Sequence, residues 1–316
     1  MRRYIINRLI VAIPVLILVS VIVFSLIHLI PGSPVDFIFA EQHLTDPKIR
    51  AQFEEQLGLN KPLYVQYLSW VGKIIQGDFG ESIFYRRKNI DLISERFPAT
   101  LLLTVVAAMI AIIFAIPAGV ISAIKRHTAA DYVAMFLALF GVSIPHFWLG
   151  ILLILVFSLY LPILPSSGYV ASLKAPLATL KHLILPALTL GTGMAAVVAR
   201  MTRSEMLEET GKEYVRTARA KGVPERRVIF KHILKNAMVP VITVIGLHLG
   251  RLLGGAVIVE YIFGWPGIGG LVIDAVYSRD YPLIQGLILV FAVLFIAINF
   301  IVDILYKYVN PRITLE

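Results

Sequence analysis

Few side chains in this sequence have the type and spacing that chemistry requires. The seven histidines (His28, His43, His127, His146, His182, His232 and His248) are scattered, with no close pair at metal-ligand spacing. Gly72-Lys73 and Gly211-Lys212 are followed by Ile74 and Glu213 rather than Ser or Thr, so neither belongs to a phosphate-cradling loop. Cysteine is absent, which excludes disulfides, thiolate catalysis and cysteine-ligated metal. The run GWPGIGG at 264–270 follows no strand of a βαβ unit, and a dinucleotide site is not expected there. The chain is therefore expected to be no enzyme and to hold no cofactor or metal. Any uphill work must draw on an ion gradient or on a partner.

What remains are polar groups in apolar surroundings. Arg251 sits inside a long apolar run, where a central Arg costs roughly 2.5–3.5 kcal/mol on the insertion scale. His248, Arg251 and Gly255 form one helical stripe, and Gly246, Gly250 and Gly254 form another that lets a second helix approach. The first stripe is expected to face a cavity or an inter-subunit contact. Gln285, Asn299 and Asp303 share a face of the last apolar run, and such groups rarely face lipid. The turn-rich stretch around Phe263, Trp265, Pro266 and Gly267 is apolar yet irregular. It is expected to dip toward a passage and help gate it; the competing reading is an interfacial turn anchored by Trp265.

The elements that position these groups are membrane helices. Of 316 residues, 58% are hydrophobic and 16% charged, and the mean hydropathy is +0.81. Soluble chains run near 45–50% apolar and about 25% charged. Leu9–Ile30 holds 22 residues with no charge except the titratable His28, enough to span a bilayer. That run is too long for a signal-peptide core and reads as a retained first span. Further apolar blocks lie at Ala99–Ile124, Tyr132–Leu161, Leu183–Ala199, Ala237–Val259 and Leu283–Leu305. The second of these exceeds one span and contains Pro145. Cutting it there leaves two pieces below the usual minimum of about 17 residues, so one tilted, kinked helix is expected. Six spans result.

Charge supports that count. With the N-terminus inside, the inner segments carry 17 Lys/Arg, whereas the outer ones carry 11, spread over more residues and offset by 12 acids. Basic density near span ends marks the inner side. Seven spans would place the ten basic residues of 200–236 outside. The formal charge of +9 thus reports basic inner loops, and no nucleic-acid partner is expected. The organisation expected is a first transmembrane helix at 1–30, an extracytoplasmic segment of short helices at 31–98, a five-helix core at 99–305 that includes a cytoplasmic loop at 200–236, and a cytoplasmic tail at 306–316. Within 31–98, amphipathic periodicity predicts helices around Arg50–Leu57 and Val65–Ile75.

The inner loop is the most specific segment. Tyr214–Pro224 reads YVRTARAKGVP and continues ERRVIFKHILKNAMVPV. This resembles the cytoplasmic coupling signature of binding-protein-dependent ABC importer permeases, in the dipeptide/oligopeptide/nickel branch. The family pattern is EAA, three residues, Gly, nine residues, I-x-L-P. Ala218, Gly222 and Leu234 match it, while Arg216 stands for Glu, Thr217 for Ala, His232 for Ile and Lys235 for Pro, the habit of this branch. Ile30–Pro34, Leu57–Tyr67, Gly77–Ser82 and Glu260–Gly286 look like the same branch, and like the first permease of the pair more than the second.

The resemblance implies an all-α integral membrane protein with the six-helix type I ABC importer fold, in the inner or plasma membrane of a prokaryote. It implies three kinds of partner besides the lipid bilayer: a second homologous permease, two ATPase subunits on the cytoplasmic side, and an extracytoplasmic substrate-binding protein. ATP and Mg would be bound by the ATPases. Coupling to them would fall to Arg216, Thr217, Ala218, Arg219, Ala220, Lys221, Gly222, Val223, Pro224 and Leu234. The apolar Val228, Ile229 and Ile233 are expected to fill a groove on the partner, with basic residues at its rim. The implied cargo is a di- or oligopeptide, whose carboxylate suits Arg251. Nickel or another small solute is the alternative, and a gradient-driven secondary transporter the alternative class.

Overall fold

The structure, a computed structural model, describes residues 2–29, 60–170 and 176–309. The helix expected around Arg50–Leu57 lies outside the described residues. Among them there is no strand, only an isolated bridge between Glu81 and Lys88. The chain divides into two units, one of residues 1–98 with 270–296, the other of 99–269 with 297–316.

Helix α1, Arg2–Leu29, carries the first apolar run. Helix α2, Leu63–Ile75, is the amphipathic stretch expected from Val65 onward. It rests on α1 through Ser20 Oγ and Tyr67 OH, 2.8 Å apart, and through Phe24 edge-on to Tyr67 at 5.5 Å. Beyond α2 a tight loop is pinned by Asp280, a fully buried carboxylate that accepts from Ser82 Oγ and from Phe84 N at 3.1 Å.

Helix α3 runs Asn89–Ile124, α4 Ala129–Ser143 and α5 His146–Ile154, which continues as a π-turn over Leu155–Tyr160. Helix α6, Pro176–Thr210, is the centre of the second unit and packs against α4, α5 and α8, the last at Leu234–Phe263. Small residues set its contact with α3. A Cβ at Gly191 would lie 2.6 Å from Ala107 O, and one at Gly119 2.6 Å from Ala199 O, so the two backbones touch. The buried hydroxyls of Thr189 and Thr202 bond back to the carbonyls of Leu185 and Val198, 2.8 Å away in each case. Helices α9, Ile268–Tyr277, and α10, Tyr281–Val309, complete the chain.

Among the described residues four helices are long and apolar enough to cross a membrane: α3, α6, the run Glu225–Phe263 and α10 over Tyr281–Val302. The α4–α5 pair makes a fifth if it counts as one span. Here the expectation of a single kinked helix is corrected, since the two halves are bent by 109°. Pro145 lacks the N–H that would continue α4, and it forces Ile144 into extended backbone at φ −81°, ψ 127°. The chain restarts as a new helix at His146. Of the polar face expected on α10, Gln285 is buried in the first unit, and the side chain of Asp303 lies outside the described ones.

Candidate functional site: a coupling element and a cationic cavity

The expected coupling residues form one compact element. Helix α7 spans Glu213–Ala220. It ends on Gly222 at φ +73°, with Gly222 N donating to Arg219 O at 2.9 Å and Val223 N to Ala218 O at 3.2 Å. This paired closure is the Schellman geometry, which needs a left-handed residue after the helix. Pro224 then opens a single turn, Glu225–Arg227, followed by a π-turn, Val228–Ile233, that runs into α8. Arg219 reaches across the break and holds both oxygens of Glu225, at 2.7 and 3.1 Å.

The element is fixed to its own subunit by apolar contacts. Val215, Val228 and Ile233 are buried with Val120, Met206 and Ala237, and Ala218, Val223, Ile229 and Leu234 pack against them. This corrects the expectation that Val228, Ile229 and Ile233 project toward a partner. In an α-helix Val228 and Ile233 point roughly 140° apart at 100° per residue. The π-turn, with its i→i+5 bonding, brings residues five apart onto one face, and that face is turned inward. What is exposed instead is basic and aromatic. Arg216, Thr217, Arg219, Ala220 and Lys221 are open, as are Arg226, Arg227 and Lys231 around Phe230, which is 54% exposed.

A polar knot closes the base of the element. Glu209 accepts from both Lys212 Nζ and Tyr214 OH, and Asn236 Nδ2 donates to Tyr214 OH at 3.0 Å. Its bond to Glu209 holds the Lys212 ammonium above its ordinary range, and burial together with that carboxylate pushes the Tyr214 phenol up.

The first of the two stripes singled out above comes together in one place. His248, Arg251 and Gly255 of α8 line a cavity of about 290 Å³ together with residues of α6 and of the α4–α5 break. That break contributes His146, a residue sequence reasoning missed. The available signal was its place directly after Pro145, where a helix must restart. His146 Nδ1 lies 3.2 Å from Thr189 O. A carbonyl only accepts, so Nδ1 carries the proton and Nε2 is the open nitrogen.

The glycine stripe is divided in use. A Cβ at Gly246 would lie 2.1 Å from Val302 Cγ1, a true close approach, whereas nothing stands within 4 Å of one at Gly254.

Phe263, Trp265, Pro266 and Gly267 do not line this cavity. Phe263 and Trp265 are 1% and 2% exposed and belong to the hydrophobic core of the second unit. Gly264, left-handed at φ +57°, turns the chain at the end of α8. Trp265 Nε1 then donates to Ala99 O at 2.9 Å and its ring meets Tyr169 edge-on. The turn folds around the fully buried carboxylate of Glu260, which accepts from Thr100 Oγ1 at 2.6 Å and Gly269 N at 2.7 Å. A Cβ at Gly267 would lie 2.2 Å from that carboxylate. A buried charge needs several donors, and the apolar turn exists to deliver them. Phe263 and Trp265 thus pack into the second unit and do not line this cavity.

The chain as a whole is similar to known proteins. Residues 115–315 match the family described as binding-protein-dependent transport system inner membrane component, and residues 1–104 match the N-terminal region of such membrane components. The chain belongs to this family of transport permeases. It is 45% identical over 313 residues to the glutathione transport system permease protein GsiC of Escherichia coli (strain K12), covering 99% of both chains. It is 46% identical over 333 residues to the di/tripeptide transport system permease protein DppB of Pseudomonas aeruginosa (strain UCBPP-PA14), again over 99% of each. Among solved structures, one of the MetNI methionine ABC transporter in inward-facing conformations matches with TM-score 0.58 at 20% identity, covering 69% of this chain and 96% of that one. An amino acid ABC transporter matches with TM-score 0.52 at 16% identity, over 71% and 95%. At such identities the likeness shows the fold alone.

Proposed function

We propose that the chain is one of two permeases lining the passage of an ATP-driven importer for di- and oligopeptides, glutathione-like peptides included. The observation that carries this reading is near-full-length similarity at 45–46% to permeases named for glutathione and di/tripeptide transport. A homologous second permease, two ATPases inside and a solute-binding protein outside complete the machine, with ATP and Mg on the ATPases. The chain crosses the membrane six times with both termini in the cytoplasm, a topology supported by the basic density of 200–236. Transport proceeds by alternating access. Closure of the ATPases moves α7 and the Pro224–Ile233 turn, and the buried Val215–Val228–Ile233 cluster passes that motion to α3, α6 and α8. Phe230, ringed by Arg226, Arg227 and Lys231, is the contact this reading assigns to the ATPase surface, in place of Val228, Ile229 and Ile233.

The test is uptake by the whole importer in proteoliposomes. Labelled tripeptide and glutathione are expected to accumulate only with internal or external ATP on the ATPase side and with binding protein on the other. Uptake that needs no ATP and collapses with an ionophore would instead define a secondary transporter. Uptake of nickel but of neither peptide would reassign the cargo.

A further inference from the structure

We propose that Arg251, His248 and His146 form a subsite that takes the carboxyl end of the transported peptide; this rests on the importer reading above. Three nitrogen-bearing side chains converge on one cavity from two places in the chain, two from α8 and one from the restart after Pro145. Among the described residues no carboxylate lines that cavity. No ion pair joins Arg251 to any described residue. Its guanidinium donors are thus not consumed by the fold.

Position makes that arrangement costly for a purely structural residue. Arg251 lies 12 residues before the end of α8 at Phe263, roughly 18 Å along the axis at 1.5 Å per residue. A side chain that deep reaches the interface by snorkelling only with difficulty. A cavity that receives an anion answers the cost directly. The guanidinium fork matches a carboxylate with two parallel bonds, and the apolar walls formed by Leu190, Met194 and Leu252 strengthen such charge-assisted bonds.

His146 adds a second recognition. Its Nδ1 is committed to Thr189 O at 3.2 Å, so Nε2 is the ring nitrogen left to meet a ligand, as an acceptor in the Nδ1–H tautomer. Two glycines keep that atom open: a Cβ at Gly193 would lie 3.6 Å from Nε2, and one at Gly255 4.0 Å. An acceptor beside a guanidinium suits a group with an N–H next to a carboxylate, which is the last residue of a peptide. A phospholipid phosphate shares the anionic half of that pattern. The volume, about 290 Å³, is at the small end of ligand pockets and fits one end of a cargo rather than the whole. A hold on one end only is compatible with rapid release.

The experiment measures peptides imported per ATP hydrolysed by the complete importer, in vesicles of phosphatidylcholine alone and with anionic phospholipid added. Arg251→Ala is expected to lower the ratio at least tenfold in both, and Arg251→Lys to restore part of it because the paired geometry is lost. His146→Ala is expected to lower it severalfold, with His146→Gln, which keeps an acceptor, closer to wild type. An unchanged ratio for Arg251→Ala overturns the subsite, as does a fall in uptake matched by an equal fall in hydrolysis, which marks a structural residue. An effect confined to anionic vesicles assigns the cavity to a lipid headgroup and overturns it too. Absence of peptide uptake by the wild type is a different failure: it overturns the proposed function, and the subsite with it.

Discussion

Arg203 grips the buried carboxylate of Asp131 by both oxygens, Nε at 2.7 Å and Nη2 at 2.8 Å, across 72 positions of sequence. Ser122 Oγ and His127 N, the latter at 3.0 Å, complete the shell around Asp131. One carboxylate therefore ties the end of α3, the turn after it and the start of α4 to α6, the helix that leads into the proposed coupling element. Its place in the first turn of α4 also favours negative charge there.

Because the Asp131 side chain is 2% exposed and that of Arg203 24%, removing one partner strands the other. Asp131→Ala is expected to destabilise the assembled importer by about 3 kcal/mol, the range for a broken buried pair. Asp131→Asn should lose less, since it can still accept from Ser122 or His127. The double change Asp131→Leu with Arg203→Met should recover much of the loss. Chemical unfolding of the purified complex measures all three. Equal stability of Asp131→Ala and wild type would show that the pair contributes nothing.

Topology is testable because the chain contains no cysteine. Burial decides where to put one. Ser82 and Glu209, though on the expected outer and inner segments, are 3% and 8% exposed and hold Asp280 and the Lys212–Tyr214 knot. Glu81 and Arg216 are their open neighbours. Glu81→Cys should react with a membrane-impermeant maleimide in intact cells, and Arg216→Cys only after permeabilisation. Labelling of both from outside would end the six-span topology.

Much of this architecture is legible in the residues themselves. Long apolar runs give the centres of α3, α6, α8 and α10, because helices hide backbone polarity in lipid. Their ends are less readable: α3 begins ten residues before its apolar block, and α6 overruns its own by seven residues at the start and eleven at the end. The Gly222-Val223-Pro224 break is equally readable, since each of those residues has a local reason to end or begin a helix. The illegible parts depend on distant partners or on altered register. Nothing near Asp131 announces Arg203. Nothing in VIFKHI announces a π-turn, and without it Val228 and Ile233 are assigned to the wrong face. Trp265 reads as part of a gating loop or as an interfacial anchor, and nothing near it announces that the turn closes around the buried Glu260. His146, alone in the sequence, becomes a cavity residue only when the chain bends sharply at Pro145.

Gly222 offers the cleanest test of the coupling element. It sits at φ +73°, and a Cβ there would meet nothing within 4 Å. Substitution therefore acts through backbone conformation and not through a clash. A left-handed L-residue costs roughly 1–2 kcal/mol, least for Asn and most for β-branched side chains. Gly222→Val should open the Schellman closure, release Val223 N from Ala218 O and let Arg219 drift from Glu225. The buried cluster beneath α7 is untouched by the change, so the subunit should still insert and assemble. ATP-driven uptake is expected to fall at least tenfold, while Gly222→Asn retains at least half. Wild-type uptake by Gly222→Val, at equal protein in the membrane, would show that the shape of this turn is not what transmits the ATPase stroke.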